Sequence, residues 1–434
     1  MRLRLDGAAV LVFGCLGGGL GLLTACPHGG GLPPRPPTAA GWGLGAEVLG
    51  ADTVHGVAMV GDPGGDVIVA AGVRAQRASR GGTVAWTRPL GAAVGALALA
   101  GELAVVAVGG REGTVPGLDG GLRGEPGAAL VALAADDGTV RWTVGAGSTR
   151  WTVVSAISGA GDGFLVTGSF AGTLRVGDRT VTAAGGSDGF VAAIDRAGAV
   201  RWLRRMGGDG ADAIAAAATL GGGRVAIAGT FSGTAELGDS ELVGVAERTL
   251  AADGFVAVLE ADGRPVWTRV YGGAREDTCA GVAVLAGGAI AVAGTVRGEV
   301  DVAGRRLEAR GAADGLVAVF AADASVTSAW LIGGDDFDAI TAIGGSGDRL
   351  AVAGWWTGTL ASGERADGVD DVFVATADAA GATVIHAVQS AGPASATALT
   401  VTAAGWLVAV HAAQPTATGG DQRPAGAALW FRGF

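Results

Sequence analysis

Asp188-Gly189-Phe190-Val191-Ala192 returns as Asp253-Gly254-Phe255-Val256-Ala257, as Asp314-Gly315-Leu316-Val317-Ala318 and, in worn form, as Asp371-Val372-Phe373-Val374-Ala375. Self-similarity at a steady period marks a repeat architecture, so this motif decides how the rest of the chain is divided. Other landmarks keep step with it. Ahead of the copies stand Thr167-Gly168-Ser169-Phe170, Ala228-Gly229-Thr230-Phe231, Ala293-Gly294-Thr295-Val296 and Ala353-Gly354-Trp355-Trp356. Trp residues at 142, 202, 267 and 330 hold the same rhythm, and Trp86 begins their series. After the Trp come two glycines and an acidic residue, as in Gly207-Gly208 to Asp212, Gly272-Gly273 to Asp277 and Gly333-Gly334 to Asp338.

One unit reads explicitly. Thr278 to Leu285 is a first strand, Gly287-Gly288 a turn and Ala289 to Thr295 a second strand. Glu299 to Gly311 is a long polar-edged loop or strand extension, Asp314 to Phe320 a third strand and Val326 to Ile332 a fourth. Each run is short, rich in Val and Ala, and bounded by Gly or Asp, as strands are. Their apolarity is near-continuous, which fits sheets covered on both faces, like blades stacked around an axis. A Trp-to-Trp period of roughly 56 to 65 residues suits a four-stranded blade with generous loops.

The pattern predicts an all-β chain folded as a β-propeller of about seven four-stranded blades, with six and eight as the neighbouring counts. The units run Gly50 to Leu90, Gly91 to Val144, Gly145 to Arg204, Arg205 to Arg269, Val270 to Leu331, Ile332 to Val388 and Gln389 to Phe434. The last one stops at Ala427-Ala428-Leu429-Trp430-Phe431, which reads as a third strand, while Trp42 to Leu49 reads as a fourth strand with no blade of its own. The N-terminal strand is therefore expected to pair with the last blade and close the ring, leaving few exposed edges.

Composition narrows the class. There are 82 Gly and a hydrophobic fraction of 49%, without Gly at every third position, which removes collagen. Charged residues make up 16%, the reverse of a disordered composition, so a sizeable core is expected. The chain lacks Lys and Asn altogether, a bias that fits a GC-rich bacterial genome and strips the choice of Arg of functional meaning. A net charge of -11 with no basic stripe argues against nucleic acid and anionic lipid surfaces as partners.

The N-terminus reads as an export signal over residues 1–26. Arg2 and Arg4 give the positive start, and Ala8 to Leu23 an apolar stretch too short and too rich in Gly for a permanent membrane span. Leu23-Thr24-Ala25-Cys26 matches the lipobox of bacterial lipoproteins, making Cys26 the expected lipid attachment site. Residues 27–41, rich in Gly and Pro, read as a solvated tether, and 42–434 as the propeller. Pro27, in place of an Asp after the Cys, favours the outer membrane over the inner one. Of the other cysteines, Cys15 lies in the signal and Cys279 in an apolar run that reads as a buried structural thiol, so the domain must be held by its core without disulfides.

The succession of Gly-Gly, acidic residue, apolar strand, Ala-Gly-Thr-Phe and Asp-Gly-Phe-Val-Ala resembles the SBBP-type bacterial β-propeller repeats, closely from Gly145 to Val388 and loosely from Trp42 to Phe434. Ala132 to Trp142 is also similar to the PQQ-type propeller repeat, which ends a strand pair in Asp, Gly and Trp. These resemblances imply architecture; propellers host scaffolds and enzymes alike. The second one implies two functions to weigh. One is an outer-membrane assembly factor like the PQQ-repeat propeller lipoproteins, and the other a quinone- or sugar-directed enzyme, of which the quinone-dependent dehydrogenases as a family hold Ca2+ through acidic and Asn ligands.

No reaction chemistry stands out. His28, His55, His386 and His411 lack metal-ligand spacing, there is no Cys-x-x-Cys, and no nucleophile elbow is present. Asp52, Asp212, Asp277 and Asp338 recur at one place in the unit and read as residues bonding backbone N–H groups ahead of the first strand, with a cation-holding ring as the competing account. The densest acidic cluster, Asp335, Asp336 and Asp338, is the first place to look for Ca2+, although it lacks the spacing of an EF-hand loop. Asp188, Asp253 and Asp314 are read as turn chemistry at strand entry. No catalytic residue and no cofactor are assigned. The expectation is a monomeric, non-enzymatic, lipid-anchored binding or scaffold module of the bacterial envelope, with protein or glycan ligands. Its specificity is expected in the loops Arg111 to Gly127 and Glu241 to Ala252.

Overall fold

Short Val- and Ala-rich runs separated by Gly and Asp have little choice but to pair as antiparallel strands, and they do so throughout. The computed structural model describes residues 11–12, 43–44, 57–61 and 66–431, the latter without 80–82, 111–126, 246–250, 364, 367–369, 391–393, 403–404, 413–415, 419–420 and 424–427. Cys26, the tether, Asp52, His28, His55 and most of the Arg111 to Gly127 loop lie outside them. Among the described residues there is no α-helix, and so none long and apolar enough to cross a membrane.

Six blades are each built from four consecutive strands, ordered from the axis outward. The third is Trp151–Ala160, Gly163–Ala171, Asp188–Asp195 and Val200–Gly208. The fourth is Ala213–Thr219, Val225–Ser232, Ala252–Leu259 and Pro265–Gly273, and the fifth Thr278–Val284, Ile290–Val296, Asp314–Phe320 and Val326–Ile332. The first spans Val57 to Pro89, the second Ala93 to Ser148 and the sixth Asp338 to Ser390. The remaining sheet is composite. Ala394–Thr402, Gly405–Ala412 and Ala428–Phe431 supply three strands, and Gly43–Leu44 pairs outside them with Gly43 opposite Leu429.

The expectation of about seven like units is thus corrected to six self-contained blades and one assembled from both ends of the chain. The reason is that Gly43–Leu44 takes the outer place in that sheet, beside Ala428–Phe431. The inner strands of successive sheets touch in a closed cycle, Ala394–Thr402 meeting both Asp338–Ser346 and Val57–Gly61. Leu11–Val12 pairs with Ala398 and Leu399 on the axis side of the composite sheet.

Two features absent from the sequence reading complete the frame. Inner strands carry a bulge at one recurring place, between Val154 and Ala156, Ile214 and Ala216, Cys279 and Gly281, and Ile340 and Ala342. A carbonyl displaced there (Val153, Ala213, Thr278 or Ala339) fills the space a Cβ would need on Gly168, Gly229, Gly294 or Gly354, which is why the second strands keep a glycine. The other feature replaces the expected loop extension. Between second and third strands the chain forms a hairpin that docks on the outer strand of the preceding blade. Thr173–Val176 with Arg179–Thr182 extends the second blade, Thr234–Leu237 with Ser240–Val243 the third, and Glu299–Val302 with Arg305–Glu308 the fourth. Glu241 to Val243, expected in a specificity loop, therefore lies in a strand. Covering an edge this way protects it from pairing with another chain.

The core lies between and within blades. Phe170 against Phe190 and Phe231 against Phe255 repeat one edge-on contact at 6.2 and 6.3 Å, and Trp356 meets Phe373 at the same place. The periodic Trp residues fasten each blade to the next. Trp86, Trp142, Trp202 and Trp267 donate their indole N–H to the carbonyls of Ala135, Arg196, Ala261 and Ala322, in the turn before the next blade's outer strand. At the fifth blade Ser328 Oγ makes the corresponding bond, to Ala379, at 2.6 Å.

Candidate functional site

The repeated acidic residues come together in pairs at blade junctions, on the end of the ring where inner strands begin. Asp212 N–H donates to Ser187 C=O, Asp277 N–H to Ala252 C=O and Asp338 N–H to Ala313 C=O, each at 2.8 Å. These bonds set Asp212 beside Asp188, Asp277 beside Asp253 and Asp338 beside Asp314, all six buried. Glycines leave the room: a Cβ on Gly207 would lie 2.6 Å from Asp188 Cγ and 2.8 Å from Asp212 Oδ2, and one on Gly333 would meet both Asp314 and Asp338.

What these carboxyls do is hold backbone. Asp212 accepts the N–H groups of Gly208 (2.8 Å) and Ser232 (3.1 Å), Asp277 that of Arg297 (3.0 Å), and Asp338 that of Gly334 (2.6 Å). Asp188, Asp253 and Asp314 accept from Ala184, Val245 and Arg310, closing the segment ahead of the third strand. Acidic residues also recur in the outer turns, where Asp137, Asp195, Asp262, Asp323 and Asp378 accept N–H groups two residues on. Burial pushes the Asp212 carboxyl up to about 6 and those of Asp277 and Asp338 up to about 7, with the neighbouring carboxylate adding to each. Burial raises Asp314 as well. At the junction of the third and fourth blades Arg205 reaches Asp188 at 2.6 Å.

The Asp335, Asp336 and Asp338 cluster is drawn apart. Asp338 points into the junction, whereas Asp335 is exposed and accepts the Thr359 N–H at 2.6 Å. Among the described residues no three His, Cys, Asp or Glu side chains gather as a metal site. Cys279 is buried, its Sγ 3.7 Å from the Ala293 carbonyl, and burial pushes its thiol up to about 11, far from nucleophilic use at neutral pH.

In a repeat, what recurs builds the frame, and what departs from it is free to serve a ligand. Residues just before the inner-strand acidic position are Ala211, Glu276 and Phe337, and Trp151 holds the equivalent place in the third blade. Trp151 is 41% and Val153 51% exposed. At the place of Ser169, Thr230 and Thr295 the sixth blade has Trp355, half-buried, stacked on Phe337 with ring centroids 5.1 Å apart and planes 3° from parallel. Arg297 lies over the Phe337 ring, at 5.2 Å from its centroid. Among the described residues, this Arg297, Phe337 and Trp355 cluster and the Trp151 and Val153 pair are non-repeating surface on the carboxylate end. Sequence reading missed them, although a signal was there: Trp355 is an aromatic where the other copies have a hydroxyl.

No family model and no curated protein matches the chain. Among solved structures it is similar to BamB from Moraxella catarrhalis, at 16% identity over 86% of this chain and 96% of that one, with a TM-score of 0.43. It is also similar to a quinohemoprotein alcohol dehydrogenase from Comamonas testosteroni, at 9% identity over 90% and 75% of the two chains, TM-score 0.40. A europium-containing methanol dehydrogenase gives 9% over 88% and 91%, TM-score 0.38.

Proposed function

We propose that the chain is a bacterial envelope propeller of SBBP-type repeats, held to a membrane by a lipid on Cys26 and serving as a monomeric, non-enzymatic binding or scaffold module. The observation that carries the reading is the division of labour just described. Repeated acidic residues are spent on backbone at the junctions, and the residues that break the repeat are aromatic and arginine side chains on one end of the ring. Exposed aromatic side chains are enriched at protein recognition surfaces, and aromatic faces also suit sugar rings. Protein or glycan partners in the envelope, on the outer membrane, are the ligands this surface fits.

Two measurements test it. Expressed in a bacterium, the chain should be cut before Cys26 and carry added lipid mass, and Cys26→Ser should leave it uncut and in the aqueous phase of a detergent partition. An uncut, unlipidated wild type overturns the anchor. For the binding role, Phe337→Ala with Trp355→Ala should abolish capture of the partner while the fold persists. Recovery of the outer-membrane protein insertion machinery would narrow the role to assembly, and a tightly held redox cofactor in the purified protein would overturn the non-enzymatic reading.

A further inference from the structure

Inner strands turn one edge to the axis of the ring, and an edge offers N–H and C=O groups to any further strand that can reach it. In the composite sheet that edge is taken. Leu11–Val12 pairs there antiparallel, Leu11 with Leu399 and Val12 with Ala398. The same segment lies within 8 Å, Cα to Cα, of the inner strands Val57–Gly61, Ala93–Ala100, Trp151–Ala160 and Asp338–Ser346. A segment that reaches the first, second, third and sixth blades while it pairs with the composite sheet sits on the axis, in a channel with the width of a single strand. The walls suit this. Ala398, the partner of Val12, directly follows the bulge of its strand, and the residues in the same place on the other bulged inner strands are Ala96, Ala156, Ala216, Gly281 and Ala342. Small residues at one level let another backbone come close. In the sequence, Leu11 and Val12 belong to Ala8 to Leu23, the apolar stretch of the expected export signal.

We propose that the axial channel is a binding slot for one extended apolar segment, added edge-on as a strand, and that the apolar stretch of the chain's own export signal fills it until the cut before Cys26 removes that stretch. The slot's occupancy rests on the reading of residues 1–26 as a cleaved signal. Strand addition draws its affinity from main-chain hydrogen bonds, so it asks for little beyond an extended backbone and side chains that tolerate burial. Ala8-Ala9-Val10-Leu11-Val12-Phe13 supplies both, with no charge, Gly or Pro in the run. In the uncut chain this run is tethered beside the slot, and its high effective concentration keeps a free peptide out. The processed chain offers the same slot open to a segment of the same kind.

A fluorescent peptide with the sequence of residues 6–14, read by anisotropy, is the probe. The chain processed in the cell and extracted from its membranes should bind it. Uncut chain from cell-free synthesis should bind it on the order of 100-fold more weakly, because a tethered competitor acts at roughly millimolar concentration. In the uncut chain, Leu11→Asp with Val12→Asp puts charge into the tethered segment and should restore binding. That second comparison uses uncut chains alone, so a failure of the signal reading and a failure of the slot give different results. Gly95→Arg, added to the Leu11→Asp and Val12→Asp chain, obstructs the channel from the second blade. Gly95 is exposed on that blade's inner strand, and the nearest contact of a Cβ there would be the Val154 carbonyl oxygen at 3.6 Å, so the fold should persist by circular dichroism while the peptide is lost. Equal binding to the uncut wild type and its Asp-substituted form, binding to neither, or undiminished binding after Gly95→Arg would overturn the proposal.

Discussion

Trp202 Nε1 donates at 2.8 Å to the carbonyl of Ala261, a residue 59 positions further on and in the next blade. Arg204 adds bonds to the carbonyls of Asp262 (2.9 Å) and Gly263 (3.3 Å) in the same turn, and the indole covers Gly263, whose φ is +83°. The motif that sets the period of the sequence is thus also the clasp between blades. Trp202→Phe, which keeps the ring and drops the donor, should cost ~1–2 kcal/mol. Trp202→Ala should cost ~3–5 kcal/mol. Urea unfolding followed by far-UV circular dichroism checks both, and a Phe variant as stable as wild type would deny the bond its role.

Arg205 is 23% exposed and its partner Asp188 is fully buried. Removing the cation strands a buried charge, so Arg205→Met should destabilise the chain by ~3–5 kcal/mol. Asp188→Asn in the same chain should recover most of that loss, because the stranded charge goes with it. A double variant no better than the single one would place the effect in packing instead.

Gly333 has room for hydrogen only. Gly333→Ala presses a methyl group onto Asp314 and Asp338 and should lower stability by ~1–3 kcal/mol, as overpacking does. Gly304, with a φ of +91° but nothing near its Cβ direction, should respond only through backbone strain, by ~1 kcal/mol. The thermal midpoints of the two variants give the comparison.

Burial pushes the Asp338 carboxyl up to about 7, and Asp314 and Asp336 reinforce the shift. The folded chain therefore keeps a proton that the unfolded chain releases near 3.8. Stability from this site is complete below that value and is lost as the pH rises through about 7, at up to ~1.4 kcal/mol per pH unit. A thermal midpoint measured from pH 4 to 8 should fall across the range, and Asp338→Asn should flatten the slope.

Much of the fold was legible because each blade needs the same few things from its sequence. Thr278 to Ile332 parsed into four strands within a residue or two of those observed, since Gly and Asp mark every turn between them. The closing strand was legible from a deficit, a unit ending at its third strand and a spare strand at the other end. Hidden were the features that depend on neighbours. Thr173 to Thr182 and Glu299 to Glu308 alternate well enough to be strands, but only the outer strand of the preceding blade tells them where to pair. The glycine of Ala-Gly-Thr-Phe read as a strand end, although the bulge opposite it is what excludes a side chain. The carboxyls were correctly read as backbone acceptors, yet their pairing across blades needs two units side by side. The Arg297, Phe337 and Trp355 stack joins two blades and could not be seen within either.

Closure of the ring by Gly43–Leu44 on Ala428–Phe431 is tested most directly by a cross-link. With Cys15→Ala, Cys26→Ser and Cys279→Ala removing the other thiols, Gly43→Cys and Leu429→Cys place a thiol pair on register partners. Mild oxidation should give an intramolecular disulfide in nearly every monomer, seen as a faster-migrating band on a non-reducing gel and as one linked peptide pair by mass spectrometry. Free thiols after oxidation, or links only between chains, would contradict the closed ring.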